Sequence, residues 1–155
     1  MKLLLCLSLL LSFAVPARAA GEEDRVAATQ ALVDYFNAVI TLDTQRVSQY
    51  CNEPFMYLDS ARSSSFATRS DVEAWLKPGF AALKERGYGR SEWPQLQVKV
   101  LGNGVALASA LIVRYKVDGT EMSRAGATYF MRKTQDGWKL VSLTVHDTST
   151  VLKLD

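Results

Sequence analysis

Residues 101–138 read LGNGVALASALIVRYKVDGTEMSRAGATYFMRKTQDGW, and this stretch sets the fold class. Three dipeptides that favour tight turns interrupt it, namely Asn103-Gly104, Asp118-Gly119 and Asp136-Gly137. These pairs tolerate the positive φ angles of two-residue hairpin turns. The segments between them are long and rich in β-branched and aromatic residues, which favours strands. The stretch therefore predicts long antiparallel strands joined by tight turns.

The strand pattern continues on both sides of this stretch. Four long strands are predicted in all, over Trp93–Leu101, Val105–Val117, Thr120–Thr134 and Trp138–Thr150. Strands of roughly five or six residues are usual, so these are long. A sheet of such strands has to twist and bend. We therefore expect a strongly curved sheet.

Helical patterns precede the strands. From Arg25 to Ile40 the apolar residues fall on one half of a helical wheel, with Val26 among them and Tyr35 at the edge. Asp43 is a plausible cap for a short second helix, which Pro54 is expected to end.

A short strand pair and a third helix follow. The pair is predicted at Phe55–Leu58 and Phe66–Thr68. Ser70 and Glu73 have the spacing of a capping box and predict the start of the third helix. From these patterns, seven side chains are expected in the core: Phe36, Trp75, Leu76, Phe80, Leu107, Leu111 and Leu143.

This order of elements is α+β, and it resembles the nuclear transport factor 2-like superfamily in its SnoaL-like and ketosteroid-isomerase-like branches. The resemblance is carried by the element order and by three phrases, Thr68-Arg69-Ser70-Asp71, Asp136-Gly137-Trp138-Lys139-Leu140-Val141 and His146-Asp147. It implies one domain over residues 22–152. In that domain a cone-shaped, curved antiparallel sheet of four long strands plus a short strand pair wraps around three N-terminal helices. It also implies a pocket inside the cone and a possible homodimer through the sheet.

Residues 1–19 have the pattern of a cleaved signal peptide, with a basic start, an apolar run to Val15 and small residues before a cleavage site after Ala19 or Ala20. The run is shorter than the roughly 20 residues of a spanning helix, although an uncleaved anchor is the alternative. We therefore expect an exported protein, periplasmic or secreted, that is free of the membrane after cleavage.

The charge of the mature chain argues against nucleic-acid binding. Removing residues 1–19 removes Lys2 and Arg18, which brings the 18 basic residues level with the 16 acidic ones. A nucleic-acid surface needs clustered positive charge. The mature chain keeps one cysteine, Cys51, which is expected to be a small buried residue. No spacing typical of a metal site or of a phosphate loop is present, so no metal and no cofactor is predicted.

Two residues are candidate acid–base groups. In the family resemblance, Asp59 stands at the interval of the general-base aspartate, where an apolar pocket would raise the pKa of its carboxyl. The alternative is that Asp59 caps the loop of residues 60–65. His146, the one histidine, would titrate near neutral pH, and it is expected on one strand face with Trp138 and Leu140. A structural role is the alternative.

Five residues are predicted to line a ligand pocket: Tyr35, Tyr57, Trp75, Arg114 and Tyr129. Aromatic walls favour a flat or ring-bearing ligand. Around the Asp118-Gly119 turn, Arg114 and Arg124 fall on opposite faces of the sheet. An inward-facing arginine would make a carboxylate ligand plausible.

Three functions are compatible with these patterns. The first is an exported protein that binds a small, mostly apolar molecule without turning it over. The second is an isomerase, cyclase or dehydratase that uses Asp59 and His146, which requires both side chains to face one cavity. The third is an association module that uses an apolar outer sheet face.

Overall fold

The computed structural model describes residues 17–154, with the side chains from Gly21 onward. The helices are α1 (Ala17–Ile40), α2 (Thr44–Ser48) and α3 (Arg69–Glu85). The strands are β1 (Cys51–Leu58), β2 (Ser63–Phe66), β3 (Tyr88–Gly102), β4 (Val105–Lys116), β5 (Glu121–Thr134) and β6 (Gly137–His146), followed by a 3₁₀ turn at Thr148–Thr150. Most of the predicted signal peptide lies outside the described residues.

The six strands form one curved, unclosed sheet in the order β2-β1-β6-β5-β4-β3. The α+β cone and the four-stranded meander are confirmed. The sheet was predicted as antiparallel and is mixed, because β1 runs parallel to β6. The β1–β2 hairpin and α3 carry the chain to the far edge of the sheet, and the meander then returns so that β6 runs beside β1 in the same direction.

The three predicted turns join the long strands. Asn103 and Gly104 both have positive φ, 50° and 70°, as a two-residue hairpin turn requires. β3 begins earlier than predicted, at Tyr88, and β6 ends at His146 rather than at Thr150.

The inner face of β4 is built from small residues. Ala106, Ala108 and Ala110 are fully buried. Ala108 pairs with Tyr129 of β5, whose ring contacts Phe36 of α1. Small side chains let this part of the strand approach the packed aromatic rings closely, whereas Leu107 and Leu111 alternate to the other face.

Three of the seven expected core residues are buried, namely Phe36, Phe80 and Leu143. Trp75 and Leu76 are half-buried beside the core. Leu107 and Leu111 were expected inside, but they lie on the outer face and are half-buried. Val26, expected on the apolar side of α1, is 56% exposed.

A bulge in the β5–β6 pairing reverses the faces of β6. Met131 pairs with Leu140, whereas the preceding residue, Phe130, pairs with Ser142. The extra residue on β6 leaves Leu140 on the inner face and puts His146 on the outer face. The expectation that His146 shares a face with Trp138 and Leu140 was therefore wrong.

Helix caps agree with the sequence at α2 and differ at α3. Asp43 caps α2, and its carboxylate accepts the Arg46 backbone N–H at 3.0 Å. The capping box of α3 is formed by Thr68 and Asp71, not by Ser70 and Glu73. Glu73 instead accepts the Ser48 hydroxyl at 3.0 Å and links α3 to α2.

The β1 strand begins at Cys51, before the predicted position. Pro54, which was expected to end the second helix, lies inside this strand. The pairing of β1 with β6 is irregular between Cys51 and Met56, where the proline cannot donate a ladder hydrogen bond.

The C-terminal segment 151–154 lies against the outer face of β3 and β4. Its backbone N–H groups at Leu152 and Leu154 donate to Ser109 Oγ at 2.9 Å and to Gln97 Oε1 at 2.6 Å. Ser109 is buried as a result. Within residues 17–154, no helix has the length and apolar character needed to cross a membrane.

Candidate functional site

A cavity of about 500 Å³ lies between α3 and the inner face of the sheet. Helix α3 supplies one wall, with Trp75, Leu76, Pro78, Gly79, Phe80 and Leu83. The opposite wall comes from α1 and the strands, with Tyr35, Val39, Tyr57, Arg114, Leu143 and Val145. The walls are therefore mainly aliphatic and aromatic, with few polar groups.

The cavity brings together four of the five predicted pocket residues: Tyr35, Tyr57, Trp75 and Arg114. The fifth, Tyr129, lines a smaller adjoining space of about 50 Å³. Tyr35 and Arg114 line both spaces, so they stand where the two meet.

The aromatic rings of Tyr57 and Trp75 form the cavity wall near β1, and Phe66 of β2 packs against Trp75. The Trp75 ring of α3 lies 4.8 Å from the Tyr57 ring and 4.9 Å from the Phe66 ring, centroid to centroid. The ring planes are tilted rather than parallel, as aromatic pairs prefer. This cluster leaves the face or edge of large rings available to the cavity.

The two arginines beside the β4–β5 turn face opposite sides, as the turn register predicts. Arg114 pairs with Ser123, and Arg124 pairs with Val113. Arg124 lies outside and forms an ion pair with Glu121. Arg114 faces the cavity, and no ion pair joins it to a carboxylate in residues 21–154.

Buried tyrosines surround the Arg114 side chain. Burial raises the pKa of Tyr35 well above its usual range, and the Arg114 charge acts in the opposite direction. The pKa of Tyr129 is raised for the same reason and is likewise opposed by Arg114. Both phenols therefore keep their protons at neutral pH and remain hydrogen-bond donors.

Asp59 caps the loop that follows β1. Its Oδ1 accepts the backbone N–H groups of Ala61 at 2.8 Å and of Arg62 at 3.0 Å, and its Oδ2 accepts the Tyr57 hydroxyl at 2.7 Å. These hydrogen bonds, the one from Tyr57 first, lower the pKa of Asp59. The expected rise of this pKa was wrong, because donors surround the carboxylate and stabilise its charged form.

His146 lies on the outer face of the sheet, above Gly126. Its Nδ1 is 3.0 Å from the Asp147 carbonyl oxygen and 3.0 Å from the Thr150 hydroxyl oxygen. Its Nε2 is hydrogen-bonded to the Thr128 hydroxyl at 3.0 Å. His146 is thus a member of a surface hydrogen-bond network.

The structure does not bring Asp59 and His146 together. Asp59 belongs to the loop at the rim of the cavity, and His146 is on the far side of the sheet. Among the described residues that line either cavity there is no Asp, Glu or His. The geometry required for an acid–base pair across one cavity is therefore not met.

Cys51 is buried, and burial raises the pKa of its thiol to about 12. A thiol of this kind is a weak nucleophile at neutral pH. Across the described part of the chain, no group of His, Cys, Asp and Glu side chains is arranged to hold a metal ion.

The sequence matches the family described as NTF2-like protein (DUF6841) over residues 22–148. The chain belongs to this NTF2-like family. No curated protein gives a match.

Solved structures share the fold of this NTF2-like protein at low sequence identity. An NTF2-like protein with a cystatin-like fold from Novosphingobium aromaticivorans has a TM-score of 0.72 and 20% identity, covering 86% of this chain and 88% of its own. An NTF2-like protein of unknown function from Pseudomonas putida has a TM-score of 0.63 and 21% identity, with coverages of 89% and 95%. A provisionally assigned dehydratase of the NTF2-like family from Streptomyces avermitilis has a TM-score of 0.64 and 18% identity, with coverages of 85% and 99%. At these identities the likeness shows the fold alone.

The sequence predictions missed part of the NTF2-like cavity. Arg62 and the C-terminal half of α3 line it, and neither was predicted to do so. The helical half had a readable signal, because Leu76, Gly79 and Leu83 recur at spacings that place them on one face of a helix. No sequence pattern indicates that Arg62 lines the cavity, since its position depends on the turn that Asp59 closes.

Proposed function

We propose that this NTF2-like protein binds a small, mostly apolar molecule in the main cavity. The observation that carries the proposal is a space of about 500 Å³ with mainly aliphatic and aromatic walls. Small-molecule sites typically enclose roughly 300–1,000 Å³ and combine apolar walls with few polar groups. Moving apolar ligand surface from water into such a space is favourable.

The aromatic wall favours a ligand that carries a ring. Tyr57 and Trp75 form a cluster at one side of the cavity, and Phe66 packs against Trp75. A planar ligand placed against this cluster would gain offset or edge contacts beyond simple area burial. An aliphatic chain would fill the same volume without those contacts.

Binding without turnover is the proposed mode. A general base has to reach the substrate proton, and an effective one has a pKa near the working pH. Asp59 is engaged with Tyr57 and the loop backbone, and its pKa is lowered. The proposed likeness to the SnoaL-like and ketosteroid-isomerase-like branches therefore extends to the pocket and not to their chemistry.

Titration with a neutral apolar dye tests the proposal. N-phenylnaphthylamine fluoresces when it leaves water, so saturable enhancement at one site per chain is expected. Gly79 lines the cavity, and a Cβ at this position meets no atom within 4 Å, so a larger side chain enters open space. We expect the phenyl ring of Gly79→Phe to fill part of the cavity. The dye would then lose apolar contact with the cavity walls, and its binding should weaken at least about tenfold.

Ala81→Phe is the matched control, because Ala81 is exposed on the same helix and does not line the cavity. It should leave dye affinity unchanged, with circular dichroism showing that both variants fold. Absence of saturable binding to the wild type, or equal affinity of both variants, would overturn the proposal.

We also propose that the protein is exported. The support is the sequence of residues 1–19, with its basic start, apolar run and small residues. Intact mass of the protein from the periplasm or medium should correspond to a chain beginning at Ala20 or Gly21. Full-length protein retained in the membrane would contradict export.

A further inference from the structure

The cavity contains one positive charge that no protein carboxylate balances. Arg62 and Arg114 both line it, and no aspartate or glutamate in the described chain does. Arg62 is paired with Asp59, with its Nε 3.7 Å from Oδ2, and its side chain is 59% exposed. Arg114 is half-buried and has no such partner among the described residues.

A half-buried guanidinium without a counter-charge is costly to maintain, because burial removes water without supplying an acceptor. Arg114 extends from the end of β4, beside the β4–β5 turn, into the space where the two cavities meet. An anion placed there would recover the lost interaction, and a planar carboxylate can receive two parallel N–H bonds from arginine.

Neutral donors stand beside this charge. Tyr35 is buried at the same junction, and its hydroxyl makes no hydrogen bond with another residue in the described part of the chain. Its raised pKa keeps the proton on the phenol at neutral pH. The Tyr35 hydroxyl and the Arg114 guanidinium both donate hydrogen bonds. Together they suit a ligand group that only accepts them, such as a carboxylate.

We infer that the cavity binds a ring-bearing monocarboxylate, with the carboxylate on Arg114 and the ring against Tyr57 and Trp75. This inference rests on the proposed function and names the chemical class of its ligand. The charge of Arg114 makes the site prefer an anionic ligand over a neutral one. The apolar walls contribute affinity to both kinds of ligand.

Competition between two ligands of the same shape tests the inference. Naphthoate and its neutral amide, naphthamide, differ in charge and hardly in size, and each is titrated against bound N-phenylnaphthylamine at neutral pH and low salt. The wild type is expected to bind naphthoate at least about tenfold more tightly than naphthamide, as a desolvated charge-assisted pair predicts. Arg114→Gln should lose that preference, with the displacement of the dye by each ligand referred to the variant's own dye affinity.

Arg124→Gln is the matched control, because Arg124 lies on the opposite face and pairs with Glu121. It should retain the full preference for naphthoate. Equal affinity of the wild type for acid and amide, or a preference that survives in Arg114→Gln, would overturn the inference while dye binding persists. Loss of dye binding by the wild type itself would instead mean that the proposed function has failed.

Discussion

Gly126 has no room for a side chain, because the His146 ring occupies the space above it. A Cβ at position 126 would lie 2.5 Å from two ring atoms of His146 and 2.7 Å from the Asp147 carbonyl oxygen. We expect Gly126→Ala to push the ring away and break its bonds to Thr128 and Asp147, at a cost on the order of 1–3 kcal/mol. Urea unfolding followed by tryptophan fluorescence measures this cost.

Gly79→Ala is the control for this prediction. Gly79 lies inside α3, and a Cβ there meets nothing within 4 Å. Alanine should therefore stabilise the helix by about 0.5–1 kcal/mol. If Gly126→Ala were equally stabilising, the packing of His146 over Gly126 would be refuted.

Asp59 links the stability of the β1 loop to pH. Its folded-state pKa is lowered by the Tyr57 hydroxyl and by two backbone N–H groups, so the carboxylate stabilises the fold above the unfolded pKa of about 4. That contribution is lost as pH falls through the folded pKa. We expect Asp59→Asn to unfold at a lower urea concentration than the wild type at pH 7, and the difference to shrink below about pH 4.

The same measurement on Asp43→Asn provides a comparison, because Asp43 also accepts a backbone N–H but has no hydroxyl donor. A difference between wild type and Asp59→Asn that stayed constant from pH 7 to pH 3 would contradict the loop-capping role.

Residue-scale predictions from sequence succeeded where a local rule decides the outcome. The turn register alone assigned Arg114 and Arg124 to opposite faces, since side chains alternate along a strand. His146 was misplaced because a bulge between Leu140 and Ser142 shifts that alternation. No feature of the β6 sequence predicts the extra residue of this bulge.

At the scale of the element, the start of α3 depends on Thr68. Its hydroxyl accepts the Asp71 backbone N–H at 3.2 Å, and the Asp71 carboxylate accepts the Thr68 backbone N–H at 3.0 Å. Thr68→Ala should therefore destabilise the protein by about 1 kcal/mol in thermal or urea unfolding. Ser70→Ala, at the position that the sequence pattern favoured, should change stability by only a few tenths.

The capping box was displaced by two residues in the prediction because two overlapping pairs, Thr68–Asp71 and Ser70–Glu73, satisfy similar spacing rules. The structure resolves the choice through α2, where Ser48 donates to Glu73 and removes it from helix capping. Such a contact joins residues far apart in sequence, so a local pattern does not contain it.

For the molecule as a whole, Phe36 connects α1 to the sheet. Its ring stacks on Trp93 of β3 at 4.0 Å and meets Tyr129 of β5 edge-on at 5.8 Å. Phe36→Ala should cost about 3–5 kcal/mol in the free energy of unfolding, since it leaves a cavity between helix and sheet. A loss below about 1 kcal/mol would mean that α1 contributes little to the core.

The overall architecture was largely predictable from sequence, because the three turn dipeptides determine a meander and the meander requires covering helices. The position of β1 in the sheet was less predictable from the sequence. Its parallel pairing with β6 joins Cys51–Leu58 to the last strand of the sheet, and only the assembled fold brings them together. The inner alanines of β4 misled the burial prediction for Leu107 and Leu111, because size alone does not tell which face the helices cover.

The segment at 151–154 affects how the sheet can meet other surfaces. Its backbone N–H groups already bond to the side-chain oxygens of Gln97 and Ser109, so this segment covers β3 and β4 over that area. Three exposed apolar side chains of the outer face, Met56, Leu58 and Phe130, lie on β1 and β5, away from this segment. A second copy approaching the sheet would thus find it divided into a shielded half and an accessible half. Trimming those few residues would enlarge the accessible area without altering any strand.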